Sequence, residues 1–137
     1  MSPAASEAEL QALMEQAVFA RHYGFSLRRI DDGLCTLLIP FQPGLERPGG
    51  VVGGPAFMAA ADVSMWLAIL TRLGAADRSV TSALNTIFLD AARREDFLCT
   101  ARVVRLGRRL IHGTAECVSL DGRLLTQHTI TYVRPTA

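Results

Sequence analysis

Asp62 stands in an apolar run, flanked by Ala60, Ala61, Val63 and Met65. A carboxylate taken out of water loses hydration at an effective cost of several kcal/mol. It is therefore bonded to a partner, kept protonated, or used as a general base or nucleophile. Upstream lies Gly53-Gly54-Pro55. Proline suits the first position of a helix, where its missing N–H costs nothing. The N–H groups of a helix start lack partners and carry partial positive charge. Glycines there let a ligand approach the backbone, so the site suits a phosphate or a carbonyl to be polarised. Thr81, opening a later strand-like stretch, adds a hydroxyl able to orient a water.

Spacing limits how these groups combine. Eight residues of helix separate Gly54 from Asp62 by about 12 Å, whereas a general base acts within about 3 Å. Asp62 cannot readily serve a carbonyl held at the Gly54 of its own chain. Two antiparallel copies of the helix across a two-fold axis would bring the helix start of one chain to Asp62 of the other. If Asp62 is catalytic, a homodimer with two interface sites follows. The residues alone leave other readings open: a paired or solvent-facing Asp62, and ordinary turn glycines. His22, His112 and His128 follow no ligand spacing, and Ser64 lies in no GxSxG motif. Asn85 has no evident role, and there is neither a GxGxxG fingerprint nor a P-loop.

The elements that must position these groups can be read from patterning. Ser6 and Glu9 form a capping box. An amphipathic surface helix follows, with Leu10, Leu13, Met14, Ala17 and Val18 on one face, ending at Gly24. Residues 1–5 read as a flexible tail. Phe25 to Ile30 and Leu34 to Phe41 read as strands around the Asp31-Asp32-Gly33 turn, and residues 42–50, rich in Gly and Pro, as a loop. Ala56 to Leu73 reads as a helix apolar almost all round, and therefore buried. Ser79–Leu89, Phe97–Leu106, Leu110–Leu120 and Arg123–Arg134 read as strands joined by short turns. An antiparallel sheet curved around one long helix is the economical α+β architecture for this order.

Composition sets the bounds. The 137 residues suit a single domain, 1–137, and half of them are hydrophobic. A net charge of +1, from 14 basic and 13 acidic residues, gives no footprint for nucleic acid. Arg105, Arg108 and Arg109 form a local cluster suited to solvent or to an anionic ligand such as a nucleotide phosphate. Cys35, Cys99 and Cys117 lack metal or CxxC spacing, and read as reduced core residues of a cytoplasmic protein. The N-terminus is not patterned as a signal peptide, and the run from Pro55 to Leu70 is too short and interrupted for a membrane span.

The stretch Arg47-Pro-Gly-Gly-Val-Val-Gly-Gly-Pro-Ala-Phe-Met-Ala-Ala-Ala-Asp62 resembles the signature of PaaI-type hotdog-fold acyl-CoA thioesterases. That signature reads roughly N-x-x-G-x-x-H-G-G, six residues, then D. Val80-Thr81 through Asn85 to Leu89, the Gly107-Arg108 turn and the Asp121-Gly122 turn fit it too, so the resemblance spans about residues 20 to 134. It implies a hotdog fold and hydrolysis of acyl-CoA to free acid and CoA, with no metal or other cofactor and no membrane partner. Asp62 falls on the catalytic carboxylate, Gly54 on the glycine whose N–H polarises the thioester carbonyl, and Thr81 on the hydroxyl that positions water. Gly53 stands where the family has His, Pro55 where it has the second Gly, and Arg47 where it often has Asn. Gly53 and Arg47 would then border the substrate, with Arg47 neutralising a carboxylate or phosphate. The resemblance implies a homodimer or a dimer of dimers. The alternative it leaves is a non-catalytic acyl-CoA or fatty-acyl binding or regulatory module.

Overall fold

The computed structural model describes residues 2–136. Its N-terminal helical region is α1 (Glu7–Gln16) and α2 (Val18–Tyr23). The capping box forms as expected: Glu9 N–H donates to Ser6 Oγ at 3.1 Å, and Ser6 N–H to Glu9 Oε1 at 3.0 Å. The single helix expected here is broken at Ala17, whose ψ of 100° is extended, and a new short helix starts from it. Nor is the segment before α1 a free tail. Ala5 is fully buried, and Ala4 N–H donates to the Thr71 carbonyl at 2.6 Å. Met1 lies outside the described residues.

Strands β1 (Ser26–Asp31) and β2 (Leu34–Ile39) pair through the predicted turn. The Gly/Pro-rich loop holds a 3-10 turn (Pro43–Leu45) and a small ribbon of β3 (Glu46–Arg47) and β4 (Val51–Val52). The long helix α3 (Gly54–Leu73) follows, then β5 (Val80–Phe88), β6 (Phe97–Leu106), β7 (Leu110–Ser119) and β8 (Leu124–Val133). The main sheet is antiparallel throughout, in the order β1-β2-β6-β7-β8-β5. Sequential hairpins build β6 to β8, and β5 returns to pair with β8 at one edge.

Helix α3 lies across the sheet and buries Phe57, Ala60, Ala61, Ser64, Leu67 and Ala68. It is long and apolar enough to cross a membrane, with a mean hydropathy of 1.4 over an 18-residue window, yet 67% of that window is packed inside the protein. The sequence reading was too strict on its length and right that it is core. The approach to β7 is close. A Cβ at Gly113 would collide with the Met65 side chain and lie 2.6 Å from the Arg102 carbonyl oxygen. Only a glycine lets the strand pass under the helix there.

The expected all-round burial of α3 is corrected on one stripe. Pro55 and Met58 are exposed, and Asp62 and Trp66 are half-buried. These positions share one helix face at three- and four-residue spacing. This face overlooks edge strand β5, where Val80, Ile87 and Phe88 are more than half exposed. One helix covers only the middle of a six-stranded sheet, so its far side is left open.

Candidate active site

Asp62 projects from the open stripe of α3 and is held through one oxygen. Thr81, near the start of β5, donates its hydroxyl to Asp62 Oδ1 at 2.7 Å. Tyr132, near the end of β8, donates its phenol to the same Oδ1 at 2.8 Å and also lies 3.0 Å from the Asp62 main-chain oxygen. Register brings these donors together: Thr81 pairs with Tyr132 across β5 and β8, so both point to the helix-facing side. Burial pushes the Tyr132 phenol far above its ordinary range, and the neighbouring carboxylate adds to the effect. The phenol thus stays a neutral donor. Of the settings left open for Asp62, the structure shows the bonded one: the carboxylate sits at the rim of the core, half-buried and hydrogen-bonded on its inner side.

A small cavity of about 150 Å³ adjoins this carboxylate, lined by Ala17, Phe19, Val63, Trp66, Asp62 and Tyr132. The break at Ala17 matters here, because it turns α2 so that Phe19 forms one wall.

Gly54 and Arg47 lie elsewhere. They border a recess of about 440 Å³, together with Val51, Val52, Phe57, Phe88 and Asp90. Gly54 is the first residue of α3, one position earlier than the sequence suggests, and Gly53 is its N-cap. The Gly54 N–H belongs to the helix-start donors that have no intrahelical acceptor. The Gly53 N–H is already committed, donating to the Leu45 carbonyl at 2.8 Å. Gly53 thus ties the loop to the helix start, and its amide is not free for a ligand. The Phe88 ring stands over Gly54, while Arg47 is exposed at the mouth of the recess.

Two clusters therefore result within one chain. Asp62 and Thr81 come together, and Gly54 and Arg47 come together. Between the two run two turns of α3, as the spacing argument requires.

Tyr132 escaped the sequence reading. The strand alternation that buries Ile130 and Tyr132 on one face was legible, but a buried tyrosine needs a hydrogen-bond partner, and the helix residue supplying it could not be read from strand sequence. His128 is buried, with Nδ1 2.8 Å from Thr86 Oγ1 and Nε2 2.7 Å from Thr126 Oγ1. The three cysteines are free and buried in the sheet, where burial raises the Cys35 and Cys117 thiols well above their ordinary range. Among the described residues no cluster of three or more His, Cys, Asp or Glu side chains is arranged to hold a metal.

Residues 49–126 match the model of the thioesterase superfamily. A Saccharolobus solfataricus protein named for esterase activity is 33% identical over 95 residues, covering 69% of this chain and 67% of its own. A solved structure from Silicibacter sp. TM1040, described as a thioesterase, is 32% identical with a TM-score of 0.87, covering 99% of this chain and 96% of its own. Two more distant structures share the fold. The E. coli PaaI protein superposes with a TM-score of 0.85 at 17% identity, covering 95% of this chain and 93% of its own. A Streptococcus pneumoniae protein described as a hypothetical thioesterase, solved with coenzyme A, superposes with a TM-score of 0.79 at 15% identity, covering 89% and 96%. With its antiparallel sheet around one long helix, the chain has the hotdog fold and belongs to the thioesterase superfamily, and the names of its relatives point to hydrolysis of thioester or ester bonds.

Proposed function

We propose that this protein hydrolyses acyl-CoA thioesters at sites built between two copies of the chain. The observation that carries the reading is the separation of the clusters: a carboxylate anchored by Thr81 on one side of α3, and a helix-start amide at Gly54, two turns away, that meets no acceptor among the described residues. Each half alone lacks what the reaction needs. A second copy whose α3 runs antiparallel across a two-fold axis completes both sites. The open edge of β5 supports such a partner. A nine-residue edge strand carrying exposed Val80, Ile87 and Phe88 is a surface that proteins cover.

In this reading the thioester carbonyl oxygen accepts from Gly54 N–H, where the helix dipole favours the developing negative charge. Asp62 of the other copy takes a proton from water as the water oxygen bonds to the carbonyl carbon. Thr81, whose proton is given to Asp62, accepts from that water through a lone pair. The C–S bond then breaks, its electron pair leaves on sulfur, and the proton returns to the thiolate. This proton route follows general-base catalysis. Direct attack by Asp62 is the other route open to the same carboxylate. No step calls for a metal or cofactor.

Coenzyme A bound to the Streptococcus pneumoniae relative supports a CoA ester as substrate. Arg105, Arg108 and Arg109 are exposed on and beside the β6–β7 turn, at the end of the sheet that carries Thr81 and Tyr132, and suit the nucleotide phosphates. Arg47 suits a carboxylate or phosphate at the mouth of the Gly54 recess. The whole chain is read as one domain, and its three free cysteines fit a reducing, cytoplasmic setting.

The test is complementation between chains that are each impaired in a different half of the site. Asp62→Ala and Gly54→Ala are assayed separately with an acyl-CoA panel, then unfolded together, mixed equally and refolded. Random pairing restores one intact site in half of the dimers, giving about a quarter of wild-type activity. Recovery no greater than the sum of the two variants would overturn the shared site. Full activity of Asp62→Ala would overturn the chemistry itself, and tight binding of acyl-CoA without turnover by the wild type would mark a binding module.

A further inference from the structure

Both donors that hold Asp62 converge on one of its two oxygens. Thr81 Oγ1 lies 2.7 Å and the Tyr132 phenol 2.8 Å from Oδ1. Among the described residues no hydrogen bond reaches Oδ2. An aspartate carboxylate turns in a broad, two-fold torsional well, so an unanchored one would present either oxygen in a spread of directions. Two charge-assisted bonds on one oxygen remove that freedom. We propose that Tyr132 is a positioning residue which, with Thr81, fixes the Asp62 carboxylate so that Oδ2 is the oxygen that reacts.

Three features of Tyr132 suit the task. Its ring is 4% exposed, so the phenol is held by packing and does not swing with solvent. Its oxygen also lies 3.0 Å from the Asp62 main-chain carbonyl, so it registers against the helix backbone at the residue whose side chain it holds. Desolvation pushes the phenol's pKa well up, so it stays a protonated donor through the neutral and moderately alkaline range. Thr81 has one proton to give and gives it to Oδ1, and its lone pairs stay available to a water. Without the phenol, this exposed threonine would be the sole anchor, and the carboxylate could pivot about a single bond. Asp62 lines the 150 Å³ cavity between α2 and α3 together with Tyr132, so the orientation of its carboxylate beside that space is set in part by β8. Placement within about 0.5 Å and 10–20° is what a productive constellation requires.

This inference rests on Asp62 acting in hydrolysis, and the experiment separates the two. Tyr132→Phe removes one oxygen atom and keeps the ring. Its kcat on the best acyl-CoA substrate is expected to fall about 5- to 100-fold with KM changed less than about twofold, as for a small misplacement of a reacting group. Introduced into Asp62→Ala, the same substitution is expected to change the residual rate less than about twofold, because there is no carboxylate left to hold. A crystal structure of Tyr132→Phe should show the carboxylate rotated or in two conformers. Wild-type kcat in Tyr132→Phe overturns the inference. So does a loss that persists in the Asp62→Ala background, which marks a structural role, or an unmoved carboxylate in the variant. Wild-type turnover by Asp62→Ala is the separate result that would remove the underlying reading.

Discussion

A methyl group added at Gly54 would lie 3.1 Å from Cζ and 3.3 Å from Cε1 of Phe88, a ring that is 54% exposed at the end of edge strand β5. The start of α3 is thus roofed by a side chain free to move on its outer side.

The Gly54→Ala variant keeps the backbone N–H but pushes the ring by a few tenths of an ångström and narrows the approach to that amide. Catalytic efficiency is expected to fall about tenfold, in keeping with the cost of slight misplacement. The double variant Gly54→Ala/Phe88→Ala should recover part of the loss in a steady-state acyl-CoA assay. No recovery would mean that the glycine serves the backbone rather than the space beneath the ring.

Gly113→Ala places a methyl where the Met65 side chain and the Arg102 carbonyl already sit. Strand and helix must separate, and overpacking of this kind costs roughly 1–3 kcal/mol. A denaturant melt should show the midpoint lowered with the slope unchanged. Adding Met65→Ala makes room for the methyl on the helix side. The two substitutions together should therefore be less damaging than the sum of their separate effects.

Thr71 links three elements. Its hydroxyl donates to the Ala68 carbonyl at 2.6 Å and accepts from the Gly33 N–H at 2.8 Å, while its carbonyl receives Ala4. Thr71→Val keeps the shape and leaves the buried Gly33 N–H without an acceptor, at a cost of about 1–3 kcal/mol. Thr71→Ser should stay within about 1 kcal/mol of wild type, since its hydroxyl can make the same bonds. Equal melts for the valine and serine variants would show that the bond adds little.

Burial lowers His128 from 6.5 to about 4. Below pH 6.5 the unfolded chain takes up a proton that the folded chain refuses, so the stability due to neutral His128 is lost progressively as pH falls to about 4. The expected loss is on the order of 1–2 kcal/mol. His128→Gln, which retains hydrogen bonding to Thr86 and Thr126, should lose less stability between pH 7 and pH 4.5 than the wild type. Urea melts at the two pH values check this, and parallel losses in the two proteins would exclude His128 as the cause.

If the site is shared between two chains, placing a charge on the open edge should separate them. Ile87→Lys puts a positive side chain on the outer face of β5. Sedimentation should then show a smaller species, with acyl-CoA turnover falling in proportion to the dimer lost. A fully active monomer would contradict an interface site.

The sequence by itself determined whatever depends on neighbours a few residues apart. The Ser6–Glu9 box, the hairpin turns, the strand alternations and the apolar run of α3 all appear within one or two residues of expectation, because capping and periodicity are local. The Gly54–Asp62 spacing needed only the rise of a helix, so their separation by two turns of α3 was also legible. Tertiary structure decided the rest. It turned one face of α3 outward, since a single helix cannot cover six strands. It broke the first helix at Ala17, where the chain must bend to lay Phe19 beside Trp66 and Tyr132. It also tied down Ala4 and Ala5, through a carbonyl at the far end of α3. The meeting of Tyr132 with Asp62, 70 positions apart, follows from strand register and helix rotation together, and no local pattern encodes either.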